Sequence, residues 1–171
     1  MTKAVMIEDL DDTAEKILDA ASSRFLHYGY GKTTMSEIAR DCNMSTGNLY
    51  RYFPAKMDIA ESFVRRLRTD HMAKLRKVVT KNSKEPAVEK LRRFLHLKFK
   101  LAYERFHDRP KAYELSSEIM RERKDFASEW EAAENALIAE ILEIGEKSGE
   151  FRIKNKRRMA RIIQDAVYRF T

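Results

Sequence analysis

At 171 residues, 43% of them hydrophobic, the chain is long enough for one ordinary domain or two compact helical ones, and five glycines and three prolines amid abundant Lys, Arg, Glu, Ala and Leu point to an all-helical protein. A single cysteine excludes an internal disulfide and a cysteine-based zinc site and fits a reducing cytoplasm; no apolar run is long enough to span a bilayer, and the acidic amino terminus does not read as a signal peptide. The formal charge of +7 invites a nucleic-acid partner, although where the charge lies matters more than its sum.

The first 23 residues set Lys3 and Lys16 against Glu8, Asp9, Asp11, Asp12, Glu15 and Asp19, so this end is not expected to embrace DNA. Asp12, three before Glu15, reads as the cap of a first helix, whose Ile17, Ala20, Ala21, Phe25 and Tyr28 follow the helical repeat to a stop at Gly29. Between Arg24 and Lys56 the balance reverses: Arg24, Lys32, Arg40, Arg51 and Lys56 stand against Glu37 and Asp41.

Residues Thr33 to Lys56, TTMSEIARDCNMSTGNLYRYFPAK, encode two short helices joined by a three-residue turn. Thr34 and Glu37 form a capping box at the start of the first of them, about Met35–Cys42, with Ile38 and the small Ala39 on its inner side. Asp41-Cys42-Asn43 breaks it, and Asn43 is the residue expected at positive φ. The next helix, about Thr46–Phe53, takes Ser45 as N-cap, with Met44 and Leu49 in the two positions of a hydrophobic staple. Leu49 and Phe53 face inward, which leaves Thr46, Gly47, Asn48, Arg51 and the tyrosine hydroxyls outside. Gly47 has two readings: either only a hydrogen fits where the helix approaches a groove, or it is a neutral residue near a cap.

This segment, and above all Ser45-Thr46-Gly47-Asn48-Leu49-Tyr50-Arg51-Tyr52-Phe53-Pro54 followed by Lys56, resembles the DNA-binding domain of the TetR family of transcription regulators, from about Asp12 through the start of the helix after Pro54. The resemblance implies that Thr46, Gly47 and Asn48 lie against base edges and that Thr33, Thr34, Ser45, Tyr50, Tyr52 and Lys56 hold phosphates. Two positions depart from the usual pattern. Asn43 stands where Gly is common, which Asn tolerates. Ala55 stands where a Ser or Asn cap is common, which weakens that helix start by about 0.5–2 kcal/mol.

A long fourth helix is expected from about Ala55 to Val79, with Ile59, Phe63, Val64, Leu67 and Leu75 inward, until Asn82-Ser83-Lys84-Glu85-Pro86 interrupts it at the expected domain boundary. Val88, Leu91, Phe94, Leu95, Phe99, Ala102 and Phe106 mark the inner face of a fifth helix, and Ala112 to about Met120 a sixth. A seventh runs from about Lys124 to Gly145, with Phe126, Trp130, Ala133, Leu137, Ile138, Ile141 and Leu142 inward. The turn Lys147 to Phe151 precedes an eighth, which begins near Asn155. The basic runs Arg65 to Arg68, Arg92-Arg93 and Lys154 to Arg161 read as solvated helix faces.

The expected fold is all-α: an N-terminal three-helix helix-turn-helix domain (11–71, the motif about 34–53), joined by the long fourth helix to a C-terminal helical domain (84–171). By resemblance, the second domain holds a ligand pocket and a dimerising bundle. Aromatics are dense between Phe94 and Trp130, and Tyr103, Tyr113 and Trp130 are the candidates for lining a pocket, with His96 and His107 beside them. Family members usually finish with a further long helix that this chain, reaching Thr171 in mid-pattern, is expected to lack.

No enzyme signature competes. Glu104 and His107 make one E-x-x-H pair without a second copy, and Glu114, Glu118 and Glu122 are spaced as surface carboxylates. No phosphate-cradling glycine loop, G-x-S-x-G or close histidine pair is present. The resemblance therefore implies a cytoplasmic one-component regulator, by family default a repressor. It would bind a palindromic double-stranded DNA operator as a homodimer and be released by a small-molecule effector, with no cofactor, metal or membrane. A ligand-independent DNA organiser or helical interaction protein that kept the head remains the other reading.

Overall fold

The computed structural model describes residues 12–81 and 84–168. Among these residues the chain forms eight helices: α1 (Asp12–His27), α2 (Met35–Asp41), α3 (Thr46–Tyr52), α4 (Lys56–Thr80), α5 (Ala87–Phe106), α6 (Pro110–Glu122), α7 (Lys124–Lys147) and α8 (Lys156–Tyr168). No helix of the described residues is long and apolar enough to cross a membrane. Asp12 is the first residue of α1 rather than its cap, and the acidic first turn and basic last turn of that helix suit its dipole. Gly29, at φ +95°, lets the chain turn away.

The chain divides into two compact units. The first comprises the residues up to Thr69 together with Phe106–Arg123; the second comprises Asp70–Arg105 and the residues from Lys124 on. This differs from a cut between 11–71 and 84–171, and Asn82 and Ser83 of that expected boundary lie outside the described residues. Side-chain burial gives the reason. The apolar stripe of α6, Ala112, Leu115 and Ile119, is buried in the first unit, where α6 packs on α1. Leu75, Val78 and Val79 of α4 instead join the core of the second.

In the first unit α1 buries Ala14, Ile17, Leu18, Ala21 and Phe25, a stripe at helical spacing. The same unit buries Met35, Ile38 and Ala39 of α2, Leu49 and Phe53, and Ile59, Ala60, Phe63 and Val64 of α4. Tyr28, expected inward, is instead exposed just past the end of α1, with the Arg24 guanidinium 5.6 Å from its ring centroid. The run Arg65 to Arg68 is not a solvated face. Arg66 ties α4 to Glu15 and Asp19 of α1 at 2.5 and 2.7 Å, Arg65 pairs with Glu61 at 2.9 Å, and Arg68 is buried.

The second unit is centred on Leu75, Val78, Val79, Phe94, Leu137, Ile138, Ile141, Leu142 and Ala160. Its α5 is rotated from the expected phase: Ala87, Lys90, Phe94, Lys98 and Leu101 are buried, while Val88 is exposed. The two buried lysines are satisfied. Lys90 Nζ donates to the carbonyls of Val79 (3.2 Å) and Lys81 (2.8 Å), closing the C-terminus of α4, where a cation also suits the dipole. Lys98 Nζ donates to Glu134 (2.5 Å) and to Gln164 Oε1 (2.7 Å), and Gln164 Nε2 donates to the same Glu134 oxygen, a closed triad across α5, α7 and α8. Glu150 caps α5 by accepting from the N–H groups of Ala87 and Val88, and Asn155 caps α8 by accepting from the N–H of Arg158.

Candidate nucleic-acid interface

Local hydrogen bonds fix both short helices. Thr34 Oγ1 accepts from the N–H of Glu37 (3.3 Å), and Glu37 accepts in return from the N–H of Thr34 (2.9 Å), a complete capping box. These bonds to Thr34 hold the Glu37 carboxyl below its usual pKa range. Asn43 takes φ 55° in the turn, and the N–H of Met44 closes back on the carbonyl of Ala39 (2.9 Å). Ser45 then caps α3, its Oγ accepting from the N–H of Asn48 (3.1 Å). Leu49 and Phe53 are buried as the pattern requires.

The crossing is braced from α1. Arg24 reaches Asp41 through Nε (2.5 Å) and Nη2 (3.1 Å), and Glu37 through Nη1 (3.4 Å). The two anions of the segment are thereby matched by one cation behind the motif. Lys32, Arg40 and Arg51 remain exposed, which keeps the positive excess of the Arg24–Lys56 segment at the surface. The lone Cys42 thiol donates weakly to the Lys16 carbonyl (3.8 Å), and burial pushes its pKa up, so it behaves as packing.

On α3, Gly47 is exposed and Thr46 and Asn48 are half-buried. A Cβ built on Gly47 meets only Ser45 Oγ, at 4.0 Å. Nothing among the described residues therefore demands a glycine there. Tyr50 is 48% exposed, Tyr52 half-buried, and Ser45, whose Oγ is an acceptor in the cap, keeps its own proton for an outside acceptor.

Two of the expected phosphate ligands have other work. Thr33 is 1% exposed and its hydroxyl donates to the Gly29 carbonyl (2.9 Å), so its side chain closes the α1–α2 loop. Thr34 donates its hydroxyl proton to Glu37 (2.8 Å). Lys56 has a divided role. Its ammonium donates to the carbonyls of Tyr30 and Thr33, both at 2.7 Å, and lies 4.2 Å from the centroid of the Tyr30 ring. Burial lowers its pKa, and burial likewise raises that of Tyr30. These two bonds use two of the three ammonium donors.

The start of α4 also recovers part of its missing cap. Ala55 has no side chain to offer, but Asp58 Oδ2 accepts from the Ala55 N–H (2.9 Å), the reciprocal half of a capping box. Sequence reading missed Tyr30, Asp58 and the loop carbonyls, because a backbone acceptor far along the chain leaves no motif.

The pocket candidates are dispersed. Tyr103 and Tyr113 are 61% and 64% exposed, on α5 and α6. They also fall in different units; Tyr113 stacks edge-on with Phe106, ring centroids 5.8 Å apart. Trp130 is half-buried in α7, and His96 and His107 are exposed. Glu104 meets Lys100 at 3.8 Å and His107 meets Asp108 at 3.2 Å, and among the described residues no group of three or more His, Cys, Asp or Glu could hold a metal ion.

Comparison with known proteins agrees with this geometry. Residues 17–63 match the family described as bacterial regulatory proteins, tetR family, and residues 87–171 the tetracyclin repressor-like C-terminal domain. The HTH-type transcriptional repressor KstR2 of Rhodococcus jostii is 27% identical over 150 residues, 83% of this chain and 72% of that protein. The chain spans only between 22% and 35% of the length of most curated relatives it matches, all HTH-type transcriptional regulators. Among solved structures, a transcriptional regulator from Cytophaga hutchinsonii superposes with a TM-score of 0.72 at 28% identity, over 91% of this chain and 78% of that one. The regulator FadR of Bacillus subtilis, solved in complex with stearoyl-CoA, superposes with a TM-score of 0.67 over 89% of this chain and 81% of that one; at 22% identity the likeness is one of fold.

Proposed function

The chain belongs to the tetR family of bacterial regulatory proteins, and from that premise we propose that it is a one-component transcriptional repressor, acting in the cytoplasm, that occupies a palindromic operator as a homodimer and leaves it when a small ligand binds. The observation that carries this reading is the first turn of α3: an exposed Gly47 between the half-buried Thr46 and Asn48, on a motif locked by two caps and a buried Leu49 and Phe53. A helix presented end-on in this way enters a major groove, and base edges there select hydrogen-bonding side chains such as Asn48. Ser45, Tyr50, Tyr52 and the remaining Lys56 donor then hold the backbone, which positions the head without reading sequence.

In this reading residues 11–71 carry the head and 84–171 the effector and dimer functions. Two heads would sit in successive major grooves about 34–36 Å apart. Repression follows from occupancy, since a bound operator excludes polymerase. The likeness to a regulator solved with stearoyl-CoA makes an acyl-CoA thioester the first effector class to try.

A titration tests the proposal: a selected duplex against a shuffled one at fixed salt, with and without stearoyl-CoA, with light scattering on the same samples. Dimeric protein, strong preference for the selected duplex and release by ligand support it. A preference near one points to the ligand-independent DNA organiser.

A further inference from the structure

The first turn of α4 carries a cation and an anion two positions apart in sequence, Lys56 and Asp58. Lys56 opens the helix and holds the Tyr30 and Thr33 carbonyls, while Asp58 folds back to cap the Ala55 N–H. That cap fixes a carboxylate two residues from the ammonium left to meet a phosphate. In water a fixed anion about 10 Å from a phosphate weakens the approach roughly twofold, and several phosphates lie within such range of a docked helix end.

A cation answers it from α6. Arg123 ends that helix, its N–H donating to the Ile119 carbonyl (2.8 Å), and its guanidinium donates through Nη2 to Asp58 Oδ1 (2.8 Å) and through Nε to Glu61 Oε2 (2.8 Å). Glu61 is shared between Arg123 and Arg65, the latter at 2.9 Å, whereas Arg123 is the cation paired with Asp58. Both groups act on the adjoining loop: at Tyr30, where burial dominates and Glu118 follows, Asp58 raises the phenol pKa and Arg123 lowers it.

We propose that Arg123 is a positioning residue for DNA affinity, masking the Asp58 carboxylate so that the Lys56 end of α4 meets a phosphate without a bare anion beside it. The inference rests on the reading of Lys56 as a phosphate holder. It differs from a mechanical latch between α6 and α4, which would need both partners of the pair equally.

Binding of a short random-sequence duplex, followed by anisotropy at 50 and 300 mM salt with urea midpoints alongside, separates the two. Arg123→Met should bind about fivefold more weakly at low salt and less than about twofold at high salt. Arg123→Lys, which keeps the charge, should stay within about twofold of the parent at both salts, even if the lost guanidinium fork lowers its urea midpoint. Asp58→Asn keeps an acceptor for Ala55 and should bind as tightly as the parent or tighter, and Arg123→Met with Asp58→Asn should return to within about twofold of it.

An Asp58→Asn protein as weak as Arg123→Met, a double variant with no recovery, or an unchanged Arg123→Met overturns the mask. If the parent chain itself shows no salt-dependent duplex binding, the DNA-binding reading falls with it; parent binding with an unaffected Arg123→Met sinks the mask alone.

Discussion

Gly47→Ala separates the two readings of the glycine at the tip of α3. Within the chain the new methyl has room, because its nearest neighbour would be Ser45 Oγ at 4.0 Å, an ordinary van der Waals distance. Alanine is also the better helix former by about 0.5–1 kcal/mol. The folded protein should therefore gain up to about 1 kcal/mol, and the melting temperature of a domain of this size should rise by roughly 1–4 °C. DNA binding should move the other way. If the helix backbone approaches the groove at Gly47, a methyl there displaces a base contact worth about 1–3 kcal/mol, a loss of roughly 5- to 150-fold in affinity per head. Calorimetry and an anisotropy titration on the same sample read both numbers. A stabilised variant that binds its selected duplex as tightly as the parent would show that Gly47 is only a neutral residue near a cap. A destabilised variant would refute the packing argument itself.

Asn48→Ala should change the ranking among operator variants, read by competition at fixed salt; an equal loss on every duplex contradicts a base-reading role. Gly145→Ala in α7 should behave oppositely to Gly47→Ala, because a Cβ there overlaps the Phe151 ring: about 1–3 kcal/mol of stability is lost by urea titration despite the better helix propensity. Lys98→Met strands the buried Glu134 and should cost about 3–5 kcal/mol, whereas replacing Lys98, Glu134 and Gln164 together by Met, Leu and Leu should recover most of it; no recovery would mean the triad packs in a way apolar residues cannot copy. Glu150 is held below the usual glutamate pKa, first by the Ala87 N–H, so its contribution is complete above the unfolded-state value and fades as pH falls through the lower folded one. Glu150→Gln should therefore flatten the acid limb of the stability profile and leave neutral pH little changed in shape.

Local chemistry was the most legible. The caps at Thr34 and Ser45, the positive φ of Asn43 and the burial of Leu49 and Phe53 each depend on residues three or four apart, so spacing alone specifies them. The phase of α5 was less legible, because a hydrophobic pattern assigns Lys90 and Lys98 to solvent. Both turn inward, one to carbonyls at the end of α4 and one to a carboxylate on α7, and the helix rotates with them. That rotation leaves Val88 and Tyr103 outside. The internal bond of Thr33 was hidden for a related reason: its acceptor is a loop carbonyl, invisible to residue type. Likewise, Ala55 marked a missing cap but could not reveal that Asp58 reaches back, or that Arg123, 65 residues on, would pair with it.

The central claim is that α3 reads sequence rather than merely adhering to DNA. Selection of binding sites from random duplexes, followed by the affinity ratio between the recovered site and its shuffled counterpart at physiological salt, tests it most directly. The account predicts a recovered inverted repeat with half-site centres one helical turn, about 10–10.5 base pairs, apart or a multiple of it, and a ratio of roughly a thousand or more. Recovery of no common sequence, with a ratio near one, would contradict it.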